Sequence, residues 1–280
     1  AFAKKPEIDF HPDALDLVSK NSIQITSALR RDPMIARLFV ASISTAKDPV
    51  KLLRVMSETG LLGKYIPSFG QITGRVEYGL FRRYSLDEHV FQSIGTLAKI
   101  KSGALKDEHP IASGILANAE NPEIYFIAIL LHQAGWSLKE PTEREAEALI
   151  GRVARRLGAN DEAASVIAWA AARPLFMVEA AHRRNLGAAR AIEQFAAQTG
   201  SIERLHMLLV LTVCHLRAMS DDAWDEWTRK QISALYFGAE AWIKGGKEAL
   251  AEWMAERAGK IRKEAETALA DWPKAERAAF

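Results

Sequence analysis

The chain has 280 residues, 49% hydrophobic and 26% charged, with 37 basic against 35 acidic side chains and a formal net charge of +2. This describes a soluble globular protein with room for a substantial core, and it excludes the one-signed surface that bulk attraction to nucleic acid or membrane requires. A single cysteine, Cys214, excludes an internal disulfide framework and fits a reducing, cytoplasmic setting.

The hydrophobic pattern is helical nearly throughout, and no alternating run is long enough for a strand. Residues 1–6 lack the apolar segment of a secretory signal. The absence of an initiator Met leads us to expect a piece of a longer protein or a processed chain. Pro12, Asp32-Pro33 and Asp48-Pro49 each open a helix, with proline in the first turn. The third should turn Val50, Leu52, Leu53 and Met56 inward and end at Gly60 and Gly63. Residues 65–70 then read as a turn-rich connection. A further helix is expected over residues 84–105, followed by a mixed stretch to Pro122 and a buried apolar helix over 123–134. Thr142 should cap a helix stopped at Gly158, and Asp161 should cap the next, with Pro174 interrupting the pattern. Helices are expected at about 186–199, 201–219 and 221–244, the second containing the apolar run Met207–Cys214. That run is far shorter than the roughly 20 residues of a membrane span. Gly245-Gly246 should break the chain before a last helix, whose stripe Leu250, Met254, Ala258, Ile261, Ala265 and Leu269 suits either packing on its own domain or a dimer seam.

Among candidate sites, the pair His132-Gln133 ends an apolar helix and is followed by Gly135, a setting that resembles the HD-family metal motif with Gln in the place of Asp. Arg173, His182, Arg183, Arg184 and Arg190 form a basic neighbourhood, either a solvated face or, at Arg173, Arg183 and Arg184, an anion contact. Glu143, Glu145 and Glu147 are expected to pair with Arg144, Arg152, Arg155 and Arg156 on an exposed helix face. Trp224 and Trp227 are expected in the core, and Cys214, in an apolar run, should be inert.

Several ordered stretches together resemble the bifunctional PII uridylyltransferase/uridylyl-removing enzyme family. They are Asp9-Phe10-His11-Pro12-Asp13-Ala14, Leu61-Leu62-Gly63-Lys64-Tyr65-Ile66-Pro67-Ser68-Phe69-Gly70 and Tyr84-Ser85-Leu86-Asp87-Glu88-His89. They continue with Leu130-Leu131-His132, Leu211-Thr212-Val213-Cys214-His215-Leu216-Arg217-Ala218 and Ala270-Asp271-Trp272-Pro273. The resemblance covers the family's linker and HD region only. It implies an all-α protein: a helical linker subdomain over residues 1–75, an HD-domain-like multi-helix bundle over 76–244, and a C-terminal helix over 245–280 leading toward an ACT region. It also implies flanking nucleotidyltransferase and ACT domains as partners in the parent protein, with a PII-type signalling protein as an external partner, and neither membrane nor nucleic acid.

The family's HD domain hydrolyses a phosphodiester with metal held by histidines and carboxylates. Carried over by position, its first two histidines fall at His89 and His132. Its adjacent Asp falls at Gln133, a His pair at Arg173-Pro174, and its last Asp at His215. Residues 140–148 contain no His where another is expected. The resemblance therefore implies a degenerate metal site at His89, His132, Gln133, Pro174 and His215, without hydrolase activity and without a resident cofactor. The alternative is a zinc or other divalent ion on His89, His132 and His215, serving an altered phosphohydrolase.

Overall fold

Short polar residues set the helix starts. A computed structural model describes residues 11–76, 84–139, 141–183 and 189–269, and among these residues every regular element is helical. The Asp9-Phe10 and Ala270–Pro273 stretches and Arg184 lie outside them, as does the side chain of Arg183.

The N-terminal elements are α1 (Pro12–Asn21), α2 (Ser27–Arg30), α3 (Pro33–Thr45) and α4 (Pro49–Glu58). Asp32 caps α3 by accepting from the amides of Met34 and Ile35, and Asp48 caps α4 by accepting from Lys51. Each cap satisfies amides that the first turn leaves without an intrahelical partner. Leu52 and Leu53 of α4 are buried, with Val50 and Met56 packed at the edge, as the periodicity predicts. Gly60, at φ 71°, ends α4, but Gly63 does not stop the chain. It lies within α5 (Leu61–Tyr65), and the connection expected beyond it contains α6 (Pro67–Gly70). A Cβ on Gly63 would stand 3.0 Å from the Cα of Gly70, so these two glycines let the short helices meet backbone to backbone.

The central helices are α7 (Leu86–Lys101), α8 (Pro110–Ala117), α9 (Glu123–Leu131), α10 (Glu143–Arg156) and α11 (Asp161–Ala171). Every residue of α9 from Tyr125 to Leu131 is buried, and it packs against α3, α7, α11 and α14. Thr142 and Glu145 form a reciprocal capping box on α10. Asn160, not Asp161, caps α11: its side chain accepts from the Ala163 amide, and Asp161 is already inside the first turn.

The last elements are α12 (Phe176–Arg183), α13 (Ala189–Thr199), α14 (Ile202–Met219) and α15 (Glu226–Ala268). Cys214 on α14 is fully buried, and burial pushes its thiol well above the usual range, so it is inert as expected. Trp227 departs from expectation. Trp224 lies in a 3₁₀ turn before α15 and packs on the core, whereas Asp225 is extended (ψ 173°) and interrupts the helical register. The three-residue spacing therefore does not put both tryptophans on one face, and Trp227 is 53% exposed beside His182. The break expected at Gly245-Gly246 is real but confined to Gly246 (φ 68°, ψ −151°), where two helices meet at a kink within α15. Beyond it Leu250 is buried and Trp253 and Met254 are half-buried, so the apolar stripe packs on its own domain for about two turns and is exposed from Ala258 to Ile261. Among the described residues no single helix is long and apolar enough to cross a membrane.

One contiguous apolar core runs from Phe39 on α3 to Leu250 on α15. His109, at the start of α8, is 3% exposed at its margin, 5.3 Å from the Trp224 ring, and neither ring nitrogen meets a hydrogen-bond partner.

Two predictions follow from these placements. Gly246 occupies a backbone region that L side chains avoid, so Gly246→Ala should cost about 1–3 kcal/mol in chemical denaturation; an unchanged midpoint would refute the kink. Burial pushes the His109 pKa from 6.5 down to about 4, with Arg217 adding to the shift and Glu108 opposing it. The unfolded chain then binds a proton that the folded chain refuses. The stability due to neutral His109 is complete above pH 6.5 and is lost as pH falls toward about 4. That amounts to about 3 kcal/mol. The slope of stability against pH in this window should flatten in His109→Leu, and an identical slope would sink the assignment.

Candidate functional site

Three helices bring their histidines to one point. His89 lies in the first turn of α7, His132 follows the last residue of α9, and His215 lies on α14. The start of α7 is anchored from outside its own helix. The buried carboxylate of Asp87 accepts from the Gly74 amide (3.1 Å), and the Arg75 carbonyl accepts from the Leu86 amide. Glu88 pairs with Arg54 on α4 and accepts from Gln92 at 2.7 Å; these bonds hold its carboxyl below the ordinary value against the opposing effect of burial.

The three imidazoles are 7%, 1% and 4% exposed in chain order. His89 Nε2 lies 3.0 Å from His215 Nδ1, which lies 3.4 Å from His132 Nε2, and one ring nitrogen from each residue falls within 4.8 Å of the others. His132 Nδ1 stands 2.6 Å from the Ile129 carbonyl oxygen, so that nitrogen carries the proton and donates. Its tautomer is thereby set, leaving the Nε2 lone pair facing the other two rings. Nitrogens 2.0–2.1 Å from a tetrahedral ion stand about 3.3 Å apart, close to both measured separations. The cluster can hold a divalent metal ion. The rings can also be joined by hydrogen bonds: with His132 Nε2 an acceptor, a proton on His215 Nδ1 is the one that both facing nitrogens can share.

A cleft of about 350 Å³ adjoins His215 and is lined by Gln133, Trp136, Glu143, Arg173, Pro174 and Glu179, among others. The structure thus draws all five positions named from the sequence into one region: the three histidines at its buried end, and Gln133 and Pro174 in the cleft wall with His215. Gln133 is 5% exposed. Arg173 is held firmly there. Its Nη2 lies 2.5 Å from Glu143 and its Nη1 2.9 Å from Glu147, Nη1 also donates to the Trp169 carbonyl, and the guanidinium sits 5.0 Å over the Trp169 ring. Arg204 covers the same ring at 5.1 Å.

Glu143 and Glu147 are therefore not partners of neighbouring arginines on an exposed face, as the sequence suggested. One helical turn apart on α10, they reach together across to Arg173. Arg155 pairs instead with Asp161, and Arg156 donates to the Arg30 carbonyl, while Glu145 is spent on the capping box. Sequence reasoning missed the acidic lining at Glu143 because its partner, Arg173, lies far along the chain in the loop after α11. The i, i+4 spacing of Glu143 and Glu147 was the one available signal. Of the expected basic neighbourhood, His182 and Arg190 are exposed and do not line the cleft.

Comparison with known proteins places the chain in a family. The family model described as "Uridylyltransferase GlnD third domain" matches residues 1–65. The chain is 33% identical over 245 residues to the bifunctional uridylyltransferase/uridylyl-removing enzyme of Phenylobacterium zucineum (strain HLK1). That match covers 88% of this chain and 26% of the relative, so the chain spans about a quarter of the length of the enzyme it matches. The chain belongs to the uridylyltransferase/uridylyl-removing enzyme family.

Proposed function

We propose that this chain is the HD-like region of a uridylyltransferase-like nitrogen-signalling protein, that it no longer removes uridylyl groups, and that it acts as a structural and regulatory element. In this reading it links a nucleotidyltransferase domain to ACT sensor domains and transmits their state. The observation that carries the reading is the cleft wall. A binuclear phosphodiesterase centre needs carboxylates to offset the charge of two ions and to help generate hydroxide. Here the position beside His132 is the neutral amide of Gln133, and Pro174 has no donor atom to offer. The adjacent Arg173 occupies two nearby carboxylates, Glu143 and Glu147, with its own positive charge.

One observation favours a second reading, an altered metal-dependent phosphohydrolase. The nitrogens of His89, His132 and His215 lie within 4.8 Å of one another, two of the separations being 3.0 and 3.4 Å, with a cleft beside them. These three residues would hold a single divalent ion, which when bound supplies Lewis acidity and a water of lowered pKa. The chain's own contribution would be orientation: the Ile129 carbonyl fixes the His132 ring, and the packing of α7 on α14 fixes the other two.

Metal analysis and turnover separate the readings. Protein purified without chelator should contain well under one equivalent of zinc, manganese or iron. It should release no UMP from a uridylylated PII-type protein, with or without added divalent ion. Stoichiometric metal together with turnover that disappears in His132→Ala and in His215→Ala would establish the hydrolase instead.

A further inference from the structure

A second cleft, of about 730 Å³, lies where α3 meets α9 and the C-terminal end of α10, on residues separate from the histidine cluster. Four guanidinium groups line it, those of Arg31, Arg37, Arg155 and Arg156, against one carboxylate, Glu123. The reason is local on each element. Pro33, Ala36, Arg37 and Val40 recur at helical spacing along one face of α3, and Arg155-Arg156 closes the last turn of α10.

The four cations are not equivalent. Arg155 is committed to Asp161 at 2.6 Å. Arg156 is half-buried. Its Nη1 donates to the Arg30 carbonyl at 2.8 Å and its guanidinium lies 4.9 Å over the Tyr65 ring, but its buried Nη2 has no acceptor. Burial disfavours its charge, the Tyr65 hydroxyl opposes that effect, and the neighbouring cation of Arg30 adds to the penalty. No carboxylate opposes it among the described residues. Arg31 and Arg37 are exposed and, among the described residues, make no ion pair. Asp32 caps α3 and Glu123 accepts from the Ser44 hydroxyl at 3.3 Å; both keep their charge, so two carboxylates stand against the three guanidiniums of Arg31, Arg37 and Arg156. A half-buried cation without a counter-charge is costly. Here it stands beside two unengaged guanidiniums that reach the same space. Planar guanidinium forks match the oxygens of phosphoryl groups, and several together match a multiply charged anion. The opposite wall, Ile124, Ile127 and Leu157, is apolar and leaves room for the organic part of such a ligand.

We propose that this cleft binds a small phosphorylated anion, a di- or triphosphate compound, through Arg31, Arg37 and Arg156. The Arg30–Arg156 bond ties the end of α10 to the α2–α3 corner, so the ligand would clamp the N-terminal helices onto the bundle.

Isothermal titration calorimetry of the intact chain tests this with inorganic pyrophosphate and with ATP as probes. EDTA is present throughout, to remove any contribution from metal at the histidines. Saturable binding that weakens with rising salt is expected, because the contacts are charged and partly solvent-facing. The double variant Arg31→Glu/Arg37→Glu, changed only at exposed side chains, should keep its melting temperature and bind at least about tenfold more weakly, roughly 1.4 kcal/mol. No saturable binding of either probe would overturn the proposal. So would undiminished binding by the double variant, or binding that is lost in His215→Ala instead.

Discussion

Three buried imidazoles at the meeting of α7, α9 and α14 constrain the rest of this structure. A polar ring inside a low-dielectric core is tolerated only if its nitrogens are engaged, and each of these three engages the others or the backbone. His215 Nδ1 stands within hydrogen-bonding reach of both other rings. Sliding α14 by one residue would turn His215 through about 100° and place an apolar side chain against two imidazoles. The cluster therefore fixes the register of the longest uninterrupted core helix against its two neighbours. The apolar packing of Leu208, Leu211 and Val213 could be met by several registers, because α14 is buried on nearly every side.

Much of the support for that cluster comes from short-range devices at helix ends. α9 stops at Leu131, so His132 adopts the last helical backbone conformation and its Nδ1 reaches back three residues to the Ile129 carbonyl, one of the acceptors that a helix end leaves without a partner. The start of α7 is pinned by Asp87 and by Glu88 to two different segments, the turn before it and α4. The N-terminal helices and the bundle therefore meet through polar contacts as well as through the shared core, with Arg54–Glu88 and Arg30–Arg156 on either side.

What was legible in the sequence is what depends on neighbours along the chain. Asp-Pro pairs declare helix starts because capping and the fixed φ of proline act within one turn. The histidine positions were legible through family resemblance, and their convergence followed from the fold that the resemblance implied. The misreadings share a different cause. Gly63 resembled a stop signal, but its lack of a side chain serves a contact with Gly70 on the next short helix. Trp227 sat at helical spacing from Trp224, but one extended residue, Asp225, separated their registers. Glu143 and Glu147 were paired by proximity in sequence, whereas their partner Arg173 is 26 residues beyond Glu147 and reaches them only once α10 and α11 pack together. In each case the deciding interaction is nonlocal, and composition carries no trace of it.

Arg173 gives the cleft a fixed positive charge. In a metal-dependent hydrolase the positive charge of the ions is balanced by carboxylates, and loss of either partner leaves the other buried and uncompensated. Here the cleft contains a permanent cation, 17% exposed at its side chain, balanced by Glu143 and Glu147 and stacked on Trp169. A guanidinium so placed does for the surrounding carboxylates what a metal ion would do, and it does so at every pH at which the protein is folded, because arginine does not release its proton. The histidines are the complementary case. Their rings stand within hydrogen-bonding reach of one another, and His132 also reaches the Ile129 carbonyl. Arg173 thus offsets part of the negative charge of Glu143 and Glu147 through a pairing built into the fold.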